Sequence, residues 1–185
     1  MFPILLDLKT APIALAGNGG AALRRLRLLE ADQASVVVYG PAAEAALIAA
    51  AGDRLVKRLP TAADIAEAQL LFIAGLPAGQ AEELAAAARS AGVLVNTEDN
   101  TALSDFHVPA IVRRGDLTFT VSTGGASPAL ARILKRRIEA EFDEAWTARV
   151  PEIAQWRKVW RAEGLAASEI TARTESALTE RGWLS

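Results

Sequence analysis

Apolar and polar positions follow two alternating patterns through the first two-thirds of the chain. Short continuous apolar runs, Ile13–Gly17, Ser35–Tyr39, Leu70–Ala74 and Val93–Asn96, read as strands, with Leu70–Ala74 consistent with burial on both faces and Val93–Asn96 another buried strand. Between them lie segments of helical character: Leu23–Glu30, the alanine-rich Ala42–Ala51, and Gln80–Ala91, which Gly92 stops. A short strand is also predicted over Arg54–Leu59. This βαβαβ alternation predicts an α/β fold with a doubly wound parallel sheet. Ligands of such sheets sit outside the strand C-termini, which places Gly17–Gly20, Gly40, Gly75 and Asp99 along one rim. After about Glu141 the strand pattern ends, and all four tryptophans (146, 156, 160 and 183) fall there. Helices separated by Pro151 and Gly164 fit this tail. Trp156 and Trp160 would share one helix face, as packing between helices rather than as a ligand cage.

Two glycine-rich turns interrupt the pattern. In the first, an apolar strand runs into Gly17-Asn18-Gly19-Gly20-Ala21-Ala22 and then into a helix with leucines at helical spacing. In a dinucleotide fold the first glycine makes the tight turn, the second admits the pyrophosphate, and a small third residue lets helix and strand pack. A plain strand–helix turn carries the same pattern, but the strand, helix and second strand around it favour a Rossmann-like, nucleotide-binding reading. Gly17, Asn18, Gly19, Gly20, Ala21 and Ala22 are therefore cofactor-binding candidates, with Tyr39, Gly40 and Pro41 at the end of the second strand and Gly75 further along the rim. The carboxylate that usually binds the adenosine ribose about 20 residues on has no counterpart in Tyr39-Gly40-Pro41, nor is there an arginine for a 2′-phosphate. Ribose recognition is expected from backbone groups or the Tyr39 region, with weak discrimination against NADP⁺.

The second turn, Ser122-Thr123-Gly124-Gly125-Ala126-Ser127-Pro128, also leads a β-run into a helix. Ser127 suits the N-cap and Pro128 the first helical position. Backbone N–H groups with Ser122, Thr123 and Ser127 would then suit an anionic ligand, or simply make an ordinary connection.

Composition narrows the function classes. With 51% hydrophobic residues and a formal net charge of −2, the chain is neither disordered nor a general nucleic-acid binder. No apolar run reaches membrane-spanning length, and Met1–Asp7 has no basic leader, so a cytoplasmic location without a membrane partner is expected. The absence of cysteine removes disulfides and thiolate chemistry. One histidine, His107, cannot make a zinc site of the usual kind, and no metal site is expected. Asp99 is the carboxylate best placed for chemistry, since it follows a buried strand at the rim, although a loop carboxylate is as often solvated or a cap. Glu98 and Asp105 are neighbours able to share its role, and His107 is a candidate proton acceptor or a structural residue. Arg132, Lys135, Arg136 and Arg137 form either a solvated helix face or a set of partners for a polyanion's carboxylates. Arg113 and Arg114 carry the same two readings.

The order of these features resembles one family. Gly17-Asn-Gly-Gly-Ala-Ala with Arg24-Arg25, Val95-Asn96-Thr-Glu-Asp99, Asp105-Phe106, Pro109–Thr118, and Ser122–Arg132 follow in sequence as in the precorrin-2 dehydrogenases, which include the N-terminal module of siroheme synthase. The resemblance covers roughly residues 2–140. It implies oxidation of precorrin-2 to sirohydrochlorin with NAD⁺ as acceptor, on the route to sirohaem; some members also insert Fe²⁺. The family's catalytic aspartate falls on Asp99, and the serine before proline in its Gly-Gly turn on Ser127. The substrate is a tetrapyrrole with eight carboxylates, which makes Ser122, Thr123, Gly124, Gly125, Ser127 and Arg132 substrate-binding candidates. Members are homodimers, and the implied organisation is an NAD-binding domain over 1–112, a dimerisation and substrate-site region over 113–141, and a small helical C-terminal domain over 142–185. Three departures stand out: Asn18 replaces a glycine, Ala74-Gly75-Leu76-Pro77 replaces a polar Ala-Thr-Asp sequence, and the helical C-terminal part is short. A catalytically weakened paralogue acting as regulator or carrier, and another NAD-dependent oxidoreductase on the same fold, stay open as alternatives.

Overall fold

The computed structural model describes residues 2–184; Met1 and Ser185, the outermost positions of the expected domains, lie outside the described residues. The chain divides into two compact units between Val108 and Pro109.

In the first unit five strands form a parallel sheet. They are β1 (Ile13–Gly17), β2 (Val36–Tyr39), β3 (Leu55–Val56), β4 (Leu70–Ala74) and β5 (Leu94–Thr97), in the order β3-β2-β1-β4-β5. The central strands β1 and β4 are buried at every position, as their unbroken apolar sequences require. Each face has its own core. Ile13, Leu15, Val36, Val38, Leu70 and Phe72 pack on one side against α1 (Gly19–Glu30) and α2 (Ala45–Ala51), through Ala22, Leu26, Leu29, Leu47 and Ala51. On the other side Ala14, Ala16, Tyr39, Leu71, Ile73 and Val95 meet α3 (Ala62–Ala66) and α4 (Ala78–Ser90). The α4 stripe is Ala81, Leu84, Ala85 and Ala88, the i, i+3, i+4, i+7 spacing of a one-faced helix. The sheet is thus doubly wound and Rossmann-like.

The free edge of β5 is covered locally. The Asp105 carboxylate accepts from the Val95 N–H at 3.0 Å, and the Ser104 hydroxyl accepts from the Thr97 N–H at 3.0 Å, so two edge donors are satisfied by a loop instead of a sixth strand.

The second unit holds a two-stranded antiparallel sheet, β6 (Ala110–Arg114) and β7 (Leu117–Val121), joined through Gly115 at φ +59. Glycine at the first position of a two-residue turn matches the strands' twist. Three helices follow: α5 (Pro128–Glu141), α6 (Trp146–Ala162) and α7 (Ala167–Glu180). Residue 112, where the first domain was expected to end, lies inside β6.

Three sequence expectations need correction. The strand over Arg54–Leu59 shrinks to Leu55–Val56, because Lys57 and Arg58 turn away at the sheet edge and the Arg58 N–H bonds back to the Val56 carbonyl at 2.9 Å. The Ala42–Ala51 helix starts only at Ala45: Ala42 and Ala43 belong to the loop after β2, where the Ala42 N–H donates to Asn18 Oδ1, and Glu44 is still extended. Pro151 separates nothing: it lies within α6. Its fixed φ suits a helix and sacrifices one bond, to the Thr147 carbonyl. The packing further along offsets this: Trp156 stacks on Trp183 at 5.6 Å, and Arg181 lies 4.6 Å from the Trp156 ring. Gly164, at φ +85, does divide α6 from α7.

Candidate functional site

The glycine turn is shaped by close packing. A Cβ on Gly17 would stand 2.1 Å from the Ala74 carbonyl oxygen, and one on Gly75 would stand 2.4 Å from that of Asn18. Both must be glycine for β1, β4 and the turn to approach this closely. Ala22 is fully buried and packs 3.0 Å from the same Gly17 position, the small residue that lets helix meet strand. Gly19 has φ +62 and opens outward; a Cβ there would meet only Glu44, at 3.5 Å. Asn18 is extended (φ −137), a conformation any residue adopts, so replacing a glycine here carries no strain, and its Oδ1 accepts from the Ala42 N–H at 3.0 Å. The first-turn N–H groups of α1 face outward from this cradle without intrahelical acceptors, the arrangement that receives a phosphate. These residues fit a dinucleotide pyrophosphate.

The rest of the rim is occupied unevenly. Gly40 and Pro41 follow β2, and a Cβ on Gly40 would approach the Gly17 carbonyl oxygen to 3.3 Å. Tyr39 is buried in the α3–α4 core. Burial, then the Asp64 carboxylate, pushes its hydroxyl's pKa up, and Arg58 lies over its ring at 5.6 Å. Its side chain is committed there, so it offers the rim its backbone. Sequence reading missed this cluster, although Thr61-Ala-Ala-Asp64 is a legible capping box.

Asp99 follows β5 in a turn closed by the Asn100 N–H on the Thr97 carbonyl at 3.3 Å. It is exposed and adopts φ +58, a left-handed conformation that only one other non-glycine residue, Gln33, shares among those described. Such outliers gather at functional sites. The carboxylates expected to share its role are engaged elsewhere. Asp105 holds the β5 edge and the Arg89 guanidinium at 2.9 Å, and Glu98 pairs with Arg24 of α1 at 3.3 Å. Asp99 alone of the three makes no hydrogen bond or ion pair among the described residues, though its charge acts on Arg25. Arg25, also on α1, lies over the Phe72 ring at 5.1 Å. Burial pulls its pKa down while Glu98 and Asp99 oppose that. His107 is half-buried in an irregular segment before β6, not in a strand.

In the second unit the Ser122–Ser127 turn is self-satisfied. Ser127 caps α5 by accepting from the Leu130 N–H at 3.2 Å, Thr123 accepts from the Ser127 N–H at 3.1 Å, and Ser122 accepts from the Gly124 N–H at 3.3 Å. Each hydroxyl keeps a hydrogen to donate. Gly124 and Gly125 take φ +62 and +88 over open space. Arg132 is exposed on α5, while Arg114 is spent on carbonyls at the α5 C-terminus, Phe142 at 2.8 Å and Glu139 at 3.3 Å. Among the described residues no three metal-ligating side chains come together, and no helix is long and apolar enough to cross a membrane.

Known proteins are similar to this chain. Residues 4–110 match the family described as "Putative NAD(P)-binding", and residues 114–141 match "Sirohaem biosynthesis protein central". The precorrin-2 dehydrogenase of Bacillus subtilis is 30% identical over 161 residues, covering 85% of this chain and 99% of that protein. The chain belongs to the precorrin-2 dehydrogenase family. The siroheme synthase of Methylococcus capsulatus is 41% identical over 141 residues, covering 74% of this chain and 30% of that protein. The chain thus spans well under half the length of the siroheme synthases it matches, which carry this family's domain as part of a longer protein. A solved structure titled SirC, precorrin-2 dehydrogenase, shares the fold, with a TM-score of 0.73 at 23% identity over the whole chain and 93% of its own.

Proposed function

We propose that this precorrin-2 dehydrogenase family member oxidises precorrin-2 to sirohydrochlorin with NAD⁺, in the cytoplasm, on the route to sirohaem. The observation that carries the reading is the Arg24–Glu98 pair at 3.3 Å. It ties the loop bearing Asp99 to the helix that leaves the glycine turn, so a carboxylate without a hydrogen bond and a phosphate cradle share one rim. NAD⁺, when bound, accepts the hydride. Gly17, Asn18, Gly19, Gly20, Ala21 and Ala22 hold its pyrophosphate, with Tyr39, Gly40, Pro41 and Gly75 beside it. Asp99 takes the proton that must leave with the hydride, or orients the ring that loses it. Ser122, Thr123, Gly124, Gly125, Ser127 and Arg132 bind substrate carboxylates through hydroxyl and N–H donors and a guanidinium.

The working enzyme is a homodimer built through residues 113–141. A two-stranded sheet is marginal alone, α5 has no buried residue, and its Leu130, Ile133 and Leu134 are 46%, 53% and 38% exposed. These apolar side chains await a second copy. Fe²⁺ would be a second substrate near Asp99, and formation of sirohaem from sirohydrochlorin and Fe²⁺ tests for it.

The test is anaerobic incubation with precorrin-2 and NAD⁺, following sirohydrochlorin absorbance. Asp99→Asn keeps the shape and removes the base, so turnover should fall by about two to four orders of magnitude with little change in substrate affinity. No sirohydrochlorin from the native chain, despite NAD⁺ binding, would favour the regulator or carrier reading. Near-normal turnover by Asp99→Asn would move the proton elsewhere.

A further inference from the structure

Dinucleotide folds usually bind the adenosine ribose with a carboxylate at the end of the second strand, and β2 here ends without one. The fold supplies one from further along. We propose that Glu44 recognises the adenosine ribose hydroxyls and sets a preference for NAD⁺ over NADP⁺; this rests on reading the chain as an NAD-dependent dehydrogenase.

Three observations converge on Glu44. The loop after β2 lies against the glycine turn, held by the Ala42 N–H on Asn18 Oδ1 at 3.0 Å and by the approach of Gly40 to the Gly17 carbonyl. Glu44 occupies the N-cap position of α2, yet its side chain makes no capping bond. Among the described residues its carboxylate has neither a hydrogen-bond nor an ion-pair partner, so it is not spent on structure. Its Oε1 stands 3.5 Å from the position a Gly19 Cβ would occupy, the one heavy atom within 4 Å there. An uncommitted acceptor therefore overhangs Gly19, in the glycine turn itself.

The chemistry sorts the two dinucleotides. A ribose diol presents two O–H donors, which a carboxylate accepts through two oxygens. A 2′-phosphate presents only acceptors and about two negative charges, so it meets like charge. The cation on that side, Arg24, is paired to Glu98. Asn18, in place of glycine, is what pins the loop that brings Glu44 across, which gives this departure from the family's turn a positive role. Glu44 lies five residues beyond Tyr39, and for that reason a search at the strand end passes over it.

Calorimetric titration of NAD⁺ and NADP⁺, without tetrapyrrole, into the full-length native protein and Glu44→Gln tests the proposal independently of turnover. Glu44 is exposed, so the variant should fold, and its thermal unfolding checks this. Losing a charge-assisted hydrogen bond should weaken NAD⁺ about tenfold, while NADP⁺ binds as before or more tightly. 2′-Deoxy-NAD⁺ should bind the native protein with a similar loss, and Glu44→Gln should add little to it. NAD⁺ binding that is unchanged in Glu44→Gln overturns the proposal alone. Tighter binding of both dinucleotides also overturns it, showing that the carboxylate crowds the pyrophosphate. A native protein that binds neither dinucleotide overturns the cofactor reading itself, and this proposal with it.

Discussion

A Cβ added at Gly17 would stand 2.1 Å from a carbonyl oxygen, whereas one added at Gly124 or Gly125 would meet nothing within 4 Å. Both places are glycine-rich connections from a strand into a helix, one per unit, yet glycine answers different demands. At Gly17 and Gly75 it allows two backbones to touch, so the turn is part of the core that closes the sheet. At Gly124 and Gly125 it supplies only a left-handed backbone, and the space beyond stays open to a ligand. The polar side chains divide likewise. Asn18 reaches across to a different loop, while Ser122, Thr123 and Ser127 bond within their own turn. One turn is shaped by the neighbours that confine it, the other by its own hydrogen bonds.

The sharpest way to break this comparison is one methyl group in each turn. Gly17→Ala forces a carbonyl contact that no rotamer relieves, so it should cost about 3 kcal/mol or more, at the severe end of overpacking. Gly125→Ala pays only for its left-handed angle, about 1–2 kcal/mol. Urea unfolding of the two variants measures the difference. Equal losses would show that the approach of β1 and β4 at Gly17 does not limit stability.

Gly19 combines both situations, with φ +62 like the second turn and a place in the first. Gly19→Ala should fold with a loss of about 1–2 kcal/mol, while NAD⁺ binds about a hundredfold more weakly, since a Cβ holds the pyrophosphate off the backbone. Gly125→Ala should leave NAD⁺ titration unchanged. An unaltered NAD⁺ isotherm for folded Gly19→Ala would remove the glycine turn from the cofactor site.

What the sequence revealed follows the same division. The buried runs Leu70–Ala74 and Ile13–Gly17, the first glycine turn and the Ser127–Pro128 start of α5 were all legible, because local pattern and tertiary role coincide in them. Glu44 and the Tyr39–Arg58–Asp64 cluster were not, because they depend on where loops from different strands meet. Asp105 looked like a catalytic neighbour of Asp99, and only the folded edge of β5 shows its carboxylate bonded to Val95 and Arg89. Pro151 read as a break because local propensity says so, and the tryptophan packing around α6 overrides it.

The self-capped turn makes its own prediction. Ser127 gives the one side-chain cap of α5, so Ser127→Ala should lower stability by about 1 kcal/mol, while Ser127→Asn should restore much of it. Since the same hydroxyl is proposed to face substrate carboxylates, Ser127→Asn separates the two roles: stability recovers, but precorrin-2 KM does not. Recovery of both would confine Ser127 to capping.

The smallest expected effect compares the cap of α5 with that of α3, where Thr61 accepts from the Asp64 N–H and Asp64 accepts from Thr61 in return. The α3 cap titrates and the α5 cap does not. The Arg58 guanidinium, with the Thr61 hydroxyl and N–H, holds the Asp64 carboxyl well below the usual carboxylate range. A carboxylate depressed in the folded state stabilises fully above its unfolded value of about 3.9, and that stabilisation is lost as pH falls further toward the folded value. The difference in urea midpoint between the native protein and Asp64→Asn should therefore hold from pH 7 to pH 5 and narrow steadily below about pH 4. The difference for Ser127→Ala should stay level over the same range, because no group in that cap changes charge. The Asp64 effect should be modest and shrink in molar salt, since its ion-pair partner Arg58 is exposed to solvent, where ion pairs are screened. A gap for Asp64→Asn that did not narrow in acid would mean that the cap acts through hydrogen-bond geometry alone, as at Ser127, and the two caps would be alike.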